Sequence, residues 1–365
     1  MVKTSNGEFK WREVYSLAAL NAAIVLSWIA YHEYQPILME KFDLTGLADF
    51  LIISKAIVLI VIPPLAGWLA DLIMKKNGKF FTLFSVGIGA TAMTFMVVAT
   101  IIGAGPLSAV KPLLPFMIVI WLIAMNLFIS PANSMIEGFA PVQKLPVVMG
   151  VLFLVTELVY ALEPLIVSLV HFFGDTLTFV VGGILIALTG YIFHKVSSHD
   201  VILRRKELLE TSTAAQKPIA YLTILMVGLV LGMSKAFLVE FLPGHVMREF
   251  ESIREYGSYI SFGFLGFSAI LAFAISNYVS KQVLSRVILI GFLLLVVGAS
   301  ILIYAPSVPF LLVGCLLTAT AFSFINISGL PFVIRNLSFR HLTYGVGIYI
   351  GASEVFTGLA EIYLD

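Results

Sequence analysis

The chain is poor in charge and has almost no cysteine. Asp, Glu, Lys and Arg make up 12% of its 365 residues, and Cys315 is its one cysteine. Soluble domains carry about 25% charged residues, so this composition excludes a soluble enzyme and equally a disordered or fibrous chain. A lone cysteine excludes an intramolecular disulfide and a cysteine-clustered metal site. Cys315 falls in an apolar run and reads as a small core residue. A formal net charge of +1 leaves no basic footprint, so no nucleic-acid partner is expected. The six histidines are scattered, with no H-E-x-x-H pattern. No GxxxxGK(S/T) loop is present, which argues against direct ATP drive. No cofactor, no metal and no enzymatic activity are expected.

Apolar length is what the chain has instead, 60% of it being hydrophobic. A helix needs about 20 apolar residues to cross a hydrocarbon core about 30 Å thick. Apolar runs fall near 14–38, 46–70, 80–103, 113–135, 145–170, 176–196, 218–243, 257–279, 284–304, 308–333 and 342–364. The fold class expected is therefore an all-α polytopic membrane protein of about eleven spans. The first run is too long for a signal-peptide core and reads as an uncleaved span.

Lysine and arginine set the expected orientation. With the N-terminus cytoplasmic, sixteen of the 22 basic residues fall on inner segments and four (Lys41, Lys111, Arg248 and Arg254) on outer ones; Lys55 and Lys235 lie within spans. A plasma membrane of the bacterial inner type is expected, with the lipid bilayer as solvent and a monomer as the unit. The basic segment LRRKELLETSTAAQK divides the chain into a bundle at 1–197 (helices 1–6), a cytoplasmic linker at 198–217 and a bundle at 218–365 (helices 7–11). Collinear matches suggest diverged copies: Glu33-x-x-Pro36 with Glu240-x-x-Pro243, Ile136-Glu137 with Ile334-Arg335, and Gly150 and Glu157 with Gly347 and Glu354. Parallel repeats of this kind are a transporter architecture.

The loop after the second run reads Gly67-Trp-Leu-Ala-Asp71-Leu-Ile-Met-Lys75-Lys76-Asn-Gly78-Lys79. Gly67 permits close helix packing, and Asp71 can accept hydrogen bonds at a helix end. This loop resembles the glycine–aspartate–basic loop between helices 2 and 3 of the major facilitator superfamily. The resemblance implies two pseudo-symmetric six-helix bundles, here with the twelfth helix apparently absent, and a loop that governs conformational switching. Ser130 to Pro141, and Gly329-Leu-Pro331 followed by Tyr344-Gly-Val-Gly, are similar to segments of the sucrose-type and glycoside–pentoside–hexuronide branch. That similarity implies cation-coupled uptake of glycosides.

Charge at membrane depth costs about 2.5–3.5 kcal/mol per residue on insertion scales, so it calls for a partner or a task. Lys55, Glu157, Lys235 and Glu354 lie well inside apolar runs. The resemblance implies that helices 2 and 11 meet across the halves and helices 7 and 11 within one, so either lysine can pair with Glu354. A carboxylate of the set can carry a coupling proton, and a lysine released from its carboxylate can hold an anion. Static salt bridges are the alternative. Glu33 reads as an outer gate or a headgroup contact, and Glu361 as a solvated residue near a helix end. Tyr31, with Trp28, His32 and Tyr34, offers rings for stacking on a ligand, and Asn126 offers a polar group on a helix that the resemblance implies lines the cavity. The sum is a secondary active transporter moving a small polar solute by alternating access, with proton-coupled symport expected ahead of sodium coupling and a sugar or glycoside as one substrate class. The alternatives are an exporter of organic anions or amphipathic compounds, and a non-transporting sensor on a transporter fold.

Overall fold

The computed structural model describes residues 9–105, 113–211 and 218–364. Its α-helices are α1 (Trp11–Lys41), α2 (Ala48–Asn77), α3 (Phe81–Ala104), α4 (Leu113–Ser134), α5 (Leu145–Ala161), α6 (Glu163–Phe173), α7 (Asp175–Thr211), α8 (Pro218–Ala236), α9 (Leu242–Glu249), α10 (Gly257–Val279), α11 (Leu284–Ile303), α12 (Val308–Asn336), α13 (Leu342–Ser353) and α14 (Val355–Leu364). Among the described residues, ten helical segments are long and apolar enough to cross a bilayer. An eleventh apolar stretch is α13 and α14 in succession, interrupted at Glu354. In lipid every backbone polar group must be satisfied internally, so apolar runs of this length become helices. The protein is an integral membrane protein.

Three crossings are interrupted. Between α5 and α6 the helix restarts at Glu163-Pro164. Proline lacks an N–H and its ring clashes with the carbonyl four residues back, so it is placed in the first turn of a new helix. Between α8 and α9 a π-helical turn, Phe237–Phe241, absorbs Pro243 in the same way. The third interruption, at Glu354, has no proline. The apolar part of α7 ends at Ser197, close to the expected end of the sixth crossing, and the helix runs on through the basic segment to Thr211.

Helices α1 to α7 pack among themselves, with α3 between α4 and α7 and with α1 against α5 and α7; α8, α10, α11, α12 and α13 form a second group. Two contacts dominate between the groups: α2 runs along α13 and α14, and α5 runs along α10 and α12. The second crossing thus meets the eleventh and the fifth meets the eighth, a relation that a six-crossing shift maps onto itself. Without a hydrophobic drive between helices in lipid, close backbone approach supplies the packing. A Cβ on Gly347 or Gly351 would collide with the carbonyl oxygens of Pro63 and Ile60 on α2. On the other side of α13, Gly228 and Gly232 of α8 approach the carbonyls of Tyr349 and Ser353 equally closely.

Candidate functional site

Between the two groups lies a cavity of about 260 Å³, lined from α1 by Asn21, Trp28 and His32, from α2 by Lys55, from α4 by Asn126 and Asn133, from α5 by Thr156, Glu157 and Tyr160, from α8 by Lys235, and by Glu354. Asn21, Val25, Trp28 and His32 recur at helical spacing, so α1 turns one continuous face to it. Five of the residues singled out from the sequence, Lys55, Asn126, Glu157, Lys235 and Glu354, meet here.

The two lysines have different surroundings. The Lys55 Nζ donates to Glu361 Oε1 at 2.5 Å and lies 2.9 Å from His32 Nε2. It also sits 5.8 Å and 5.7 Å from the ring centroids of Trp28 and Tyr31, within cation–π range. An ammonium has three donors; Lys55 spends two of them, on a carboxylate and an imidazole, and lies near two aromatic faces. With side chains 8% and 16% exposed, Lys55 and Glu361 form a buried ion pair joining α2 to α14. This corrects two expectations: the partner of Lys55 is Glu361 and not Glu354, and Glu361 is enclosed between helices rather than solvated.

Lys235 makes neither a hydrogen bond nor an ion pair within 4 Å among the described residues. Its Nζ lies 5.6 Å from the Tyr160 ring centroid. Glu354 acts on it most strongly among the surrounding carboxylates, with Glu157 and Glu240 behind. His32 stands in the field of both Lys55 and Lys235. Glu157 is 5% exposed, and its Oε2 is buried without a hydrogen bond. The Asn126 and Asn133 amides donate to the carbonyls of Leu122 and Ile129 on their own helix, and the Thr156 hydroxyl donates to Leu152. Their remaining oxygen lone pairs are acceptors at the cavity wall.

Two residues singled out from the sequence lie elsewhere. Tyr31 turns away from the cavity and stacks on Trp121 with ring centroids 5.0 Å apart. Glu33 accepts a contact from His171 Nε2 at 2.9 Å on a partly exposed surface. Glu361, Asn21, Thr156 and Tyr160 were not placed in the site from the sequence, and His32 enters it as a partner of Lys55 beside its expected place among the stacking rings.

The Gly67–Lys79 loop sits at the end of the bundle that carries the exposed lysines, here the basic end. Gly67 lies against the Thr343 carbonyl, and a Cβ there would overlap it. One turn later, the Asp71 carboxylate accepts from the backbone N–H groups of Thr343 at 3.3 Å and Tyr344 at 2.9 Å. These are orphan donors of the first turn of α13, where the helix dipole favours a negative charge. Beside them Ser134 and Thr343 meet through their hydroxyls at 3.3 Å. Gly78 ends α2 in the left-handed conformation (φ 66°) that glycine adopts without strain, returning its N–H to the Met74 carbonyl. Lys75 and Lys76 are in the last turn of α2 and, like Lys79, are exposed. At the basic end α4 also packs on α13, whereas α1 makes no comparable contact with α8 or α9 among the described residues.

No family model and no curated protein sequence matches the chain. Solved structures do. The human organic anion transporter MFSD10 (TETRAN) is similar over 97% of this chain and 94% of its own, with a TM-score of 0.62 and 14% identity. The proton:xylose symporter XylE is similar over 98% of this chain and 88% of its own, with a TM-score of 0.62 and 14% identity. A mutant of the nucleoside transporter NupG is similar over 96% of this chain and 90% of its own, with a TM-score of 0.53 and 14% identity. A helical membrane bundle in two pseudo-symmetric groups, superposing on these structures over nearly its whole length, has the major facilitator fold.

Proposed function

We propose that the protein is a secondary active transporter that moves a small polar solute through the central cavity by alternating access, with a proton as the coupling ion. The observation that carries this reading is the charge set between the two groups of helices. Three carboxylates, Glu157, Glu354 and Glu361, stand with two lysines, Lys55 and Lys235. One negative charge is left over. Glu157, buried and with one oxygen unbonded, is where a transported cation neutralises it. A bound proton completes the balance and is given up when the cavity opens to the other side.

With the basic end on the cytoplasmic side, the Asp71–α13 contact closes that side, and α1 and α8–α9, which make no comparable contact with each other among the described residues, leave the outer side as the way in. The two groups are the moving bodies, with α7 leading into the connection between them. Similarity to transporters of xylose, nucleosides and organic anions supports the class of activity.

The test is solute-driven proton flux in proteoliposomes, read with a trapped pH dye, across panels of sugars, glycosides, nucleosides and organic anions. One panel is expected to drive saturable proton entry, and Glu157→Gln is expected to abolish the proton flux while leaving solute exchange. Saturable uptake with unchanged proton coupling in Glu157→Gln would remove the proton assignment. No uptake from any panel by folded protein would favour a sensor on this fold.

A further inference from the structure

We infer that Lys235 anchors an anionic group of the transported solute, which makes the substrate a small organic monoanion rather than a neutral sugar. This deepens the transport reading above and rests on it for the identity of the cavity as the substrate site.

The inference comes from the contrast between the lysines. Lys55 is charge-paired: two of its donors go to Glu361 and His32, and Trp28 and Tyr31 lie within cation–π range. Lys235 lines the same cavity and, among the described residues, has its donors open, supported by the Tyr160 face and by carboxylates beyond ion-pair distance. A cation at membrane depth without a contacting anion is costly. An incoming carboxylate supplies that contact, with a charge-assisted hydrogen bond of about 2.7–2.9 Å. The remaining wall suits the rest of such a solute. Asn126, Asn133 and Thr156 present acceptors to hydroxyl or N–H groups, and Trp28 presents an aromatic surface. A volume of about 260 Å³ is small for a ligand pocket. A dianion is disfavoured because the charge of the second lysine is already balanced by Glu361. The neighbouring carboxylates also link the anion to the proton. With Glu157 ionised, an approaching carboxylate meets Glu157 and Glu354 together; with Glu157 protonated, it meets one negative charge fewer beside Lys235.

The test uses the full chain purified in detergent and two matched probe pairs, glucuronate with glucose and benzoate with benzyl alcohol, read by thermal unfolding. A carboxylate probe is expected to raise the melting temperature while its neutral partner does not. Lys235→Met is expected to weaken that binding about 10- to 100-fold, the weight of a hydrogen bond to a charged group; Lys235→Arg is expected to retain most of it. The inference is overturned if the neutral partners stabilise as well as the carboxylates, if no carboxylate probe stabilises, or if Lys235→Met binds like the parent. Should Lys235→Met fail to fold, the matched pairs on the parent protein and Lys235→Arg decide alone. Flux measurements separate the two readings. Lysine-dependent anion binding without proton-driven uptake sinks the transport reading and keeps the anchor. Proton-driven uptake of a neutral solute, untouched by Lys235→Met, does the reverse.

Discussion

The Lys55–Glu361 pair joins helices from the two groups, and its worth can be worked from its surroundings. Removing one partner of a buried ion pair costs about 3–5 kcal/mol, because the other charge is left uncompensated. Glu361→Gln falls short of that figure. The glutamine retains a carbonyl oxygen, His32 Nε2 stays 2.9 Å from the ammonium, and the Trp28 and Tyr31 rings remain beneath it, each ring worth roughly 0.5–2 kcal/mol. About 2–3 kcal/mol is expected for Glu361→Gln. Lys55→Met should cost nearer the full 3–5 kcal/mol, since it strands a carboxylate with no comparable substitute donor. The double variant leaves no bare charge. It should be less destabilised than the sum of the singles by about 2 kcal/mol or more, within the range of coupling between contacting residues. Equilibrium unfolding in mixed micelles of rising dodecyl sulfate fraction measures all four corners of the cycle. Singles within about 0.5 kcal/mol of the parent, or strictly additive effects, would refute the claim that the pair holds the groups together.

Three further outcomes are expected. Asp71→Asn keeps one acceptor but removes the charge from the start of α13, a loss of about 0.3–2 kcal/mol. A cysteine at Ser134, fully buried in this contact, should then label faster with a membrane-impermeant maleimide from the basic side, against a low background because Cys315 is buried; unchanged labelling would contradict the closing role. Gly347→Ala forces a Cβ into the Pro63 backbone, which cannot rotate away, at about 1–3 kcal/mol; Gly263→Ala, with nothing within 4 Å of its Cβ, serves as the comparison and should be neutral or stabilising. Equal stability of the two would refute the flush packing. The His341 ring at the lip of the basic-end contact is held below its usual range by partial desolvation, then by Arg340 and Lys75. A group whose folded pKa is depressed supports the closed contact above its unfolded value, about 6.5 for histidine, and withdraws that support as pH falls below it. Ser134→Cys labelling, normalised to unfolded chain, should therefore rise toward pH of about 5.5 and be flat in His341→Asn.

Much of the architecture is legible in the sequence because membrane thickness turns apolar length directly into crossings. The contact of Gly67 and Asp71 with α13 is legible for a similar reason: the two are one turn apart, so one face carries both the gap and the acceptor. The partner of Lys55 is not. Helix α2 and the eleventh crossing run in opposite directions, and Gly67 faces Thr343, Gly347 faces Pro63, Gly351 faces Ile60 and Gly358 faces Ala56. Level with Lys55, the chain has passed Glu354 and is approaching Glu361. The turn at Glu354 adds residues to the path without advancing α14 along α2, and no sequence pattern marks that turn. The one available sign was the seven-residue spacing of Glu354 and Glu361, two turns on one helix face. His32, named from the sequence among the stacking rings, could have been placed at the cavity from α1 alone, since it continues the Asn21, Val25 and Trp28 face.

The eleventh crossing joins the cavity to the basic-end contact physically. Its first N–H groups are held by Asp71, and α13 is pressed between backbone carbonyls and glycines on two sides, toward α2 and toward α8. Its far end delivers Glu354 to Lys235, and α14 delivers Glu361 to Lys55. From Thr343 to Glu354 is about 16 Å of helix at 1.5 Å per residue. A helix with flush contacts on two sides does not deform by degrees; close-packed interfaces exchange one set of contacts for another. Any rearrangement that moves Glu354 relative to α2 therefore also moves the N–H groups that Asp71 holds. The cavity carboxylates and the Asp71 contact at the basic end are thus joined by the same rigid element, which is the coupling that the proposed alternating access requires.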